Sequence, residues 1–274
     1  MAPKPSCNDI RLESTTQTMT VNPKELTAVI FDMDGTMVDT ESIYHIAWQE
    51  LATDLGYTLD QTMLKATTGR RMSDCYAIIQ AALGADFPMQ HFQEQWWNYW
   101  TRHVQRHGIA RKAGLDQLLN LLDAHAIPKA VATSSARAEA LYTLDRAGIA
   151  DRFSILVTGD QIQHGKPAPD IFLLAAERLG VDAQHCVALE DSEAGVQAAT
   201  AAGMMTFMVP DRIQPSLDIA ERAFRVVDTL HEVHDWIVEE WLAVVVEKEE
   251  GAATTSRIER LRTEWTETSG HEWV

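Results

Sequence analysis

Between Leu115 and Val209 the chain alternates helix-period segments with short apolar runs, and this alternation constrains its fold more than any other feature. Helical patterning over Leu115 to Leu122 gives way to an apolar run at Ala130 to Thr133, then to a helix over Ala136 to Ala147 and a run at Ile155 to Val157. The cycle repeats with a helix over Asp170 to Leu179, a strand from Cys186 to Leu189, a helix from Glu193 to Ala202 and a strand from Met204 to Val209. Strands joined through helices pair in parallel, so the prediction is an α/β fold with a parallel sheet covered by helices on both faces. Ligands in such a fold bind beyond the carboxyl ends of the strands, so the residues directly after each apolar run carry the functional reading.

The first strand signal is Leu26 to Phe31, which ends abruptly in DMDGTMVDTE. From Ser42 to about Gly108 the pattern is helical: Trp48, Leu51 and Leu55, then Tyr76, Ile79 and Leu83, then Trp96, Tyr99, Trp100 and Val104. The expected division is a core of residues 25–41 and 111–246, a small all-helical insert at 42–110, a disordered tail at 1–24 and a mobile tail at 247–274. With 274 residues and 46% hydrophobic content, the chain has enough apolar material for a substantial core.

Forty acidic against 23 basic residues give a net charge of −17, which opposes nucleic acid and anionic membrane surfaces. No apolar run approaches the roughly 20 residues of a membrane span. The opening MAPKPSCNDIRLESTTQTMT lacks the apolar centre of a secretory signal; its Ser and Thr content suggests a transit peptide, but Asp9, Glu13 and a single Arg favour a plain tail. Cys7, Cys75 and Cys186 are widely spaced, without a C-x-x-C pair, and suit a reducing compartment. The expected setting is the cytoplasm and the expected state a monomer, with a dimer left open.

Asp32 and Asp34 follow the first strand, and side chains two apart on an extended segment point to the same side. One carboxylate can attack phosphorus while the other gives and takes protons. Taken alone, Asp34-Gly35 is an ordinary turn signal. Thr133, Ser134 and Ser135 end the second strand, where hydroxyls and amides at a helix N-terminus can hold phosphate oxygens or simply cap the helix. Lys166, in GKPAPD, presents a cation that could neutralise both nucleophile and phosphate, or a solvated loop lysine. Glu190 and Asp191 directly follow a buried run and are hard oxygen ligands suited to Mg²⁺; the alternative is helix capping by Asp191 or Ser192.

Together FDMDGT, VATSS, GKPAPD and LEDSEAG resemble, in order and approximate spacing, the four motifs of the haloacid dehalogenase-like hydrolase superfamily over about Leu26 to Trp236. The resemblance implies a Rossmann-like, doubly wound core with a helical cap inserted after strand one, similar to the β-phosphoglucomutase and phosphoglycolate phosphatase branch. It implies Asp32 as nucleophile, Asp34 as general acid/base, and Thr133, Ser134 and Lys166 as phosphate ligands. Mg²⁺ would be held by Asp32, Asp191, Glu190 and the backbone carbonyl of Asp34. Relatives that cleave C-halogen or C-phosphonate bonds lack the acid at the Asp34 position, so the implied reaction is a Mg²⁺-dependent phosphatase acting on a small phosphorylated metabolite through an aspartyl-phosphate.

Arg70 and Arg71 follow Gly69, where capped relatives have a loop that dips toward the site, and are candidate substrate contacts. Trp96, Trp97 and Trp100 read as helix core before they read as a stacking platform, and His103 with His107 lacks a third zinc ligand. Mutase relatives carry a His four residues after the Thr that ends the first motif. Counted from Thr40 that place is Tyr44, with His45 one step out of register, so hydrolysis is preferred over the mutase alternative; a catalytically silent regulatory protein is the third reading.

Overall fold

A computed structural model of the chain describes residues 26–67 and 72–242, with Ser73 by its backbone alone. Strands β1 (Ala28–Phe31), β2 (Lys129–Thr133), β3 (Ile155–Thr158), β4 (Cys186–Glu190), β5 (Met205–Met208) and β6 (Arg225–Val226) form one sheet in the order β3-β2-β1-β4-β5-β6. Every neighbouring pair is parallel. Helices α1 (Glu41–Asp54), α2 (Gln61–Thr67), α3 (Met72–Leu83), α4 (Met89–His107) and α5 (Leu115–Ala124) lie between β1 and β2. Beyond β2 come α6 (Arg137–Arg146), α7 (Asp170–Leu179), α8 (Glu193–Ala201), α9 (Leu217–Arg222) and α10 (Leu230–Trp236), the last continued by a π-helical turn at Ile237–Leu242.

The pleat of β1 explains the two layers. Val29 and Phe31 join Val131, Val187, Leu189 and Phe207 in a core with Leu115, Leu118, Leu119 and Leu122 of α5 and Leu230, Val233 and Trp236 of α10. Ala28 and Ile30 point the other way, with Ala130, Ala132, Val157 and Ala188, against Ile171, Phe172, Ala175 and Ala176 of α7 and Ala198 and Ala199 of α8. Both faces are covered, so the strands read as unbroken apolar runs, and each fully buried Phe, Leu or Val adds about 1.5–3 kcal/mol. The second face is alanine-rich, which lets α7 and α8 sit close to the sheet.

The connections place the site. From β1 the strand order runs outward through β2 and β3 on one side and through β4, β5 and β6 on the other. The carboxyl ends of β1, β2 and β4 are therefore side by side where the connections diverge. The chain leaves the sheet and returns to it as a pair: Val38 bridges Arg111, the Asp39 amide donates to the Ala110 carbonyl at 2.9 Å, and the Lys112 amide donates to the Met37 carbonyl at 2.9 Å.

The insert is helical, as its periodicity predicts. α1 packs along α4 through Ile43, Ala47, Trp48 and Leu51 against Phe92, Trp96, Trp100 and Val104. Trp97 stacks on Trp100 at 4.7 Å, so the tryptophans serve as core rather than as an open platform. The sequence reading placed no element between Val209 and the tail, whereas the structure has α9, β6 and α10 there. β6 escaped because it is a two-residue exposed edge strand with no apolar run. α10 did leave a mark: Thr229 and Glu232 form a reciprocal capping box ahead of the buried Leu230, Val233 and Trp236. Arg70, Arg71 and the tail residues 1–24 and 247–274 lie outside the described residues. Among the described residues no helix is long and apolar enough to cross a membrane.

Candidate active site

The Asp32 amide extends the β1–β4 ladder by donating to the Leu189 carbonyl at 2.9 Å, which fixes its buried side chain at the sheet's carboxyl edge. The chain then turns at Gly35, whose φ of +84° suits glycine. A β-carbon there would also run into the Asp191 carboxylate, so Gly35 is what allows the β1 and β4 loops to meet. Thr36 approaches Asp191 Oδ1 at 3.5 Å.

Lys166 is buried beneath this edge. Its ammonium donates to Asp32 Oδ1 at 2.5 Å, to Glu190 Oε1 at 2.5 Å and to the Ala132 carbonyl at 3.2 Å. Glu190, with no exposed surface, turns its other oxygen to the Asp191 and Ser192 amides at 3.1 and 3.3 Å and to the Ser192 hydroxyl at 3.0 Å. Ser192 in turn caps α8 by accepting from the Gly195 amide at 3.1 Å. The Ser192 cap of α8 and the acidic grouping of Glu190 and Asp191 therefore occur in one loop.

Asp34 is held separately from that acidic group. Its Oδ1 accepts from the Thr40 hydroxyl at 2.7 Å, and its Oδ2 accepts from the hydroxyls of Thr133 at 3.1 Å and Ser135 at 2.9 Å. Thr40 and Thr133 are themselves buried, so the carboxylate satisfies hydroxyls that would otherwise be costly. Ser134 is exposed at the rim of the same loop. The sequence reading overlooked Thr40 as an Asp34 partner and ranked Ser135 behind its neighbours. A short hydroxyl in a loop carries no periodic signal; only the TSS run marked the spot.

Carboxylate oxygens of Asp32, Glu190 and Asp191 lie within 4.8 Å of one another. Burial pushes the Asp32 carboxyl well above its ordinary value; Lys166 pulls it back, while Glu190 and Asp34 add to the rise. Asp191 is likewise raised by burial and by Asp32 and Glu190, against the pull of Lys166. Burial disfavours the Lys166 charge, yet Asp32 and Glu190 outweigh it and hold the ammonium above the usual lysine range. Two of the three clustered carboxylates, Asp32 and Glu190, pair with the one ammonium, so acidic hard oxygen donors outnumber the cation. That donor set fits a small divalent cation. Both Glu190 oxygens are already engaged, which leaves Asp32 and Asp191 the more open donors.

The sequence profile of haloacid dehalogenase-like hydrolases matches residues 29–209. A Thermotoga maritima protein named phosphorylated carbohydrates phosphatase is 34% identical over 177 residues, 65% of this chain and 82% of that one. The fructose-1-phosphate phosphatase of Escherichia coli is 34% identical over 190 residues, 64% of this chain and 92% of the other. A solved structure from Thermotoga maritima, described as a candidate β-phosphoglucomutase, aligns with a TM-score of 0.69 at 30% identity and covers 78% of this chain and 99% of that one.

Proposed function

The chain belongs to the haloacid dehalogenase-like hydrolase family, and on that premise we propose that it is a Mg²⁺-dependent phosphatase that hydrolyses a small phosphomonoester, of the sugar-phosphate kind, through an aspartyl-phosphate on Asp32. One observation carries this reading. The ends of β1 and β4 and the loop between β3 and α7 bring Asp32, Glu190, Asp191 and Lys166 into one cluster, while hydroxyls from the β1 and β2 loops hold Asp34 beside it.

In this reading Lys166 occupies Asp32 Oδ1, which leaves Oδ2 to attack phosphorus in line with the leaving oxygen. As the Asp32–phosphorus bond forms and the ester P–O bond breaks, the Asp34 carboxyl gives its proton to the leaving oxygen. Asp34 then accepts a proton from water, whose oxygen attacks phosphorus and returns Asp32 as a free carboxylate. Ser134, exposed at the loop rim, and Thr133 and Lys166, which would give up a contact to Asp34 and to the Ala132 carbonyl respectively, are the proposed holders of phosphoryl oxygens, while the Thr40 and Ser135 hydroxyls keep Asp34 aimed at the reacting bond. Asp32, Asp191 and the Asp34 backbone carbonyl, with Glu190 behind them, would hold Mg²⁺, which when bound neutralises and orients phosphoryl charge. Residues 42–110 serve as a cap in the same reading, supported by the paired crossing at Val38 and Arg111, and Arg70 and Arg71 are proposed substrate contacts from it.

The mutase alternative shares these groups. Against it stands the neighbourhood of α1: Tyr44 lies in the field of Asp34, whereas His45 sits half-buried beside Arg212 and Asp39 and faces a different set of charges. With glucose 1-phosphate and Mg²⁺ the expected product is free phosphate. Dominant conversion to glucose 6-phosphate without phosphate release would reverse the choice.

A further inference from the structure

Over Asp34 the seam between α6 and the helical insert carries polar groups that the chemistry above leaves unused. Glu139 lies in the first turn of α6, a few residues past the Thr133–Ser135 loop, and is half-buried. One turn further along the same helix, Tyr142 meets Trp97 at 5.8 Å and Trp100 at 6.0 Å, so this face of α6 looks onto α4. From the insert side, Tyr44 stands one helical turn beyond Thr40, the residue whose hydroxyl binds Asp34. Its ring packs 5.4 Å from Trp96 and 5.9 Å from Trp100. Tyr76 of α3 completes the group beside Trp96.

These groups are mutual electrostatic neighbours. Asp34, Glu139 and Tyr76 all act on the Tyr44 hydroxyl, Glu139 acts on Tyr76, and Asp34 acts on Glu139. The Ala136 amide at the start of α6 favours the charged form of Glu139, but a carboxylate has about four acceptor positions, so capacity remains. Among the described residues no cation pairs with it. The result is a seam with a half-buried carboxylate, two phenol hydroxyls and aromatic rings, in the field of the acid that meets the leaving oxygen.

We propose that Glu139, with the hydroxyls of Tyr44 and Tyr76, determines specificity by accepting hydroxyl groups of an uncharged polyol or sugar leaving group and rejecting leaving groups that carry a carboxylate. A hydroxyl-rich leaving group supplies donors for the acceptor positions left on Glu139 among the described residues. A carboxylate placed there would meet the Glu139 carboxylate, and like charges in a partly dry site repel strongly. This inference rests on the phosphatase reading and names the class of substrate for it.

The test compares kcat/KM for fructose 1-phosphate, phosphoglycolate and p-nitrophenyl phosphate in the wild type, Glu139→Gln and Tyr44→Phe. The wild type is expected to prefer the sugar ester over phosphoglycolate. Glu139→Gln is expected to lower that preference by about tenfold or more, the scale of one hydrogen bond to a charged acceptor, with the change in KM. Tyr44→Phe moves the ratio the same way by less, and thermal melting shows both variants folded. A ratio unchanged within about twofold in Glu139→Gln, with p-nitrophenyl phosphate still hydrolysed, overturns this inference alone. A wild type that hydrolyses none of the three removes the phosphatase reading beneath it.

Discussion

Gly195 has no side chain, and the acidic loop depends on that: a β-carbon would fall inside the Glu190 carboxylate. Glu190 cannot retreat, because Lys166 holds one oxygen and Ser192 the other. Gly195→Ala is therefore expected to destabilise the fold by about 1–3 kcal/mol, the usual cost of overpacking, and to lower activity through the displaced Lys166. Urea denaturation beside a phosphate-release assay checks both, and a variant as stable and as active as the wild type would refute the packing argument. At this scale the sequence was informative wherever a charged residue directly followed an apolar run. Asp32, Glu190 and Asp191 stand out because strand ends rarely bury acids without use. The hydroxyls of Thr40 and Ser135 do not stand out, since what makes them matter is a carboxylate brought from another part of the chain.

Among the elements, α1 and α4 depend on each other. Trp100, fully buried, contacts Tyr44, Trp97 and Tyr142, and so links α1, α4 and α6. Trp100→Ala is expected to cost about 3–5 kcal/mol, and Trp100→Phe clearly less, in equilibrium unfolding. Equal costs would mean the site collapses around any residue and that the aromatic seam is not specific. The long helices were legible because their periods are long and regular. α2, α9 and β6 were not: α2 is seven residues, α9 six and β6 two, too short for a period to emerge. α10 shows the reverse lesson, since its capping box was readable and went unread.

For the whole molecule, the parallel pairing of the strands follows from the helix–strand alternation, and what the alternation could not give is the strand order and the charge balance of the assembled site. Asp32 and Asp191 have carboxyls raised well above the ordinary value of 3.8, chiefly by burial. A carboxyl raised on folding binds more protons in the folded than in the unfolded state, so it favours folding at low pH and that benefit is lost as pH rises from about 4 upward. The metal-free protein is therefore expected to carry its largest site penalty near neutral pH, where a divalent cation relieves it. Mg²⁺ at a hundred times its Kd is worth about 2.7 kcal/mol, a rise in Tm of roughly 5–10 °C, and the gain should be smaller at pH 5 than at pH 7. Calorimetry at the two pH values checks this, and a gain that grows as pH falls would contradict the sign. The central claim is covalent chemistry at Asp32, and the most direct measurement is an acid quench during turnover of a ³²P-labelled phosphomonoester with Mg²⁺, followed by mapping of the labelled residue. The account predicts label on Asp32 in the wild type and neither label nor turnover in a folded Asp32→Asn variant; label on another residue, or turnover that survives in Asp32→Asn, would contradict it.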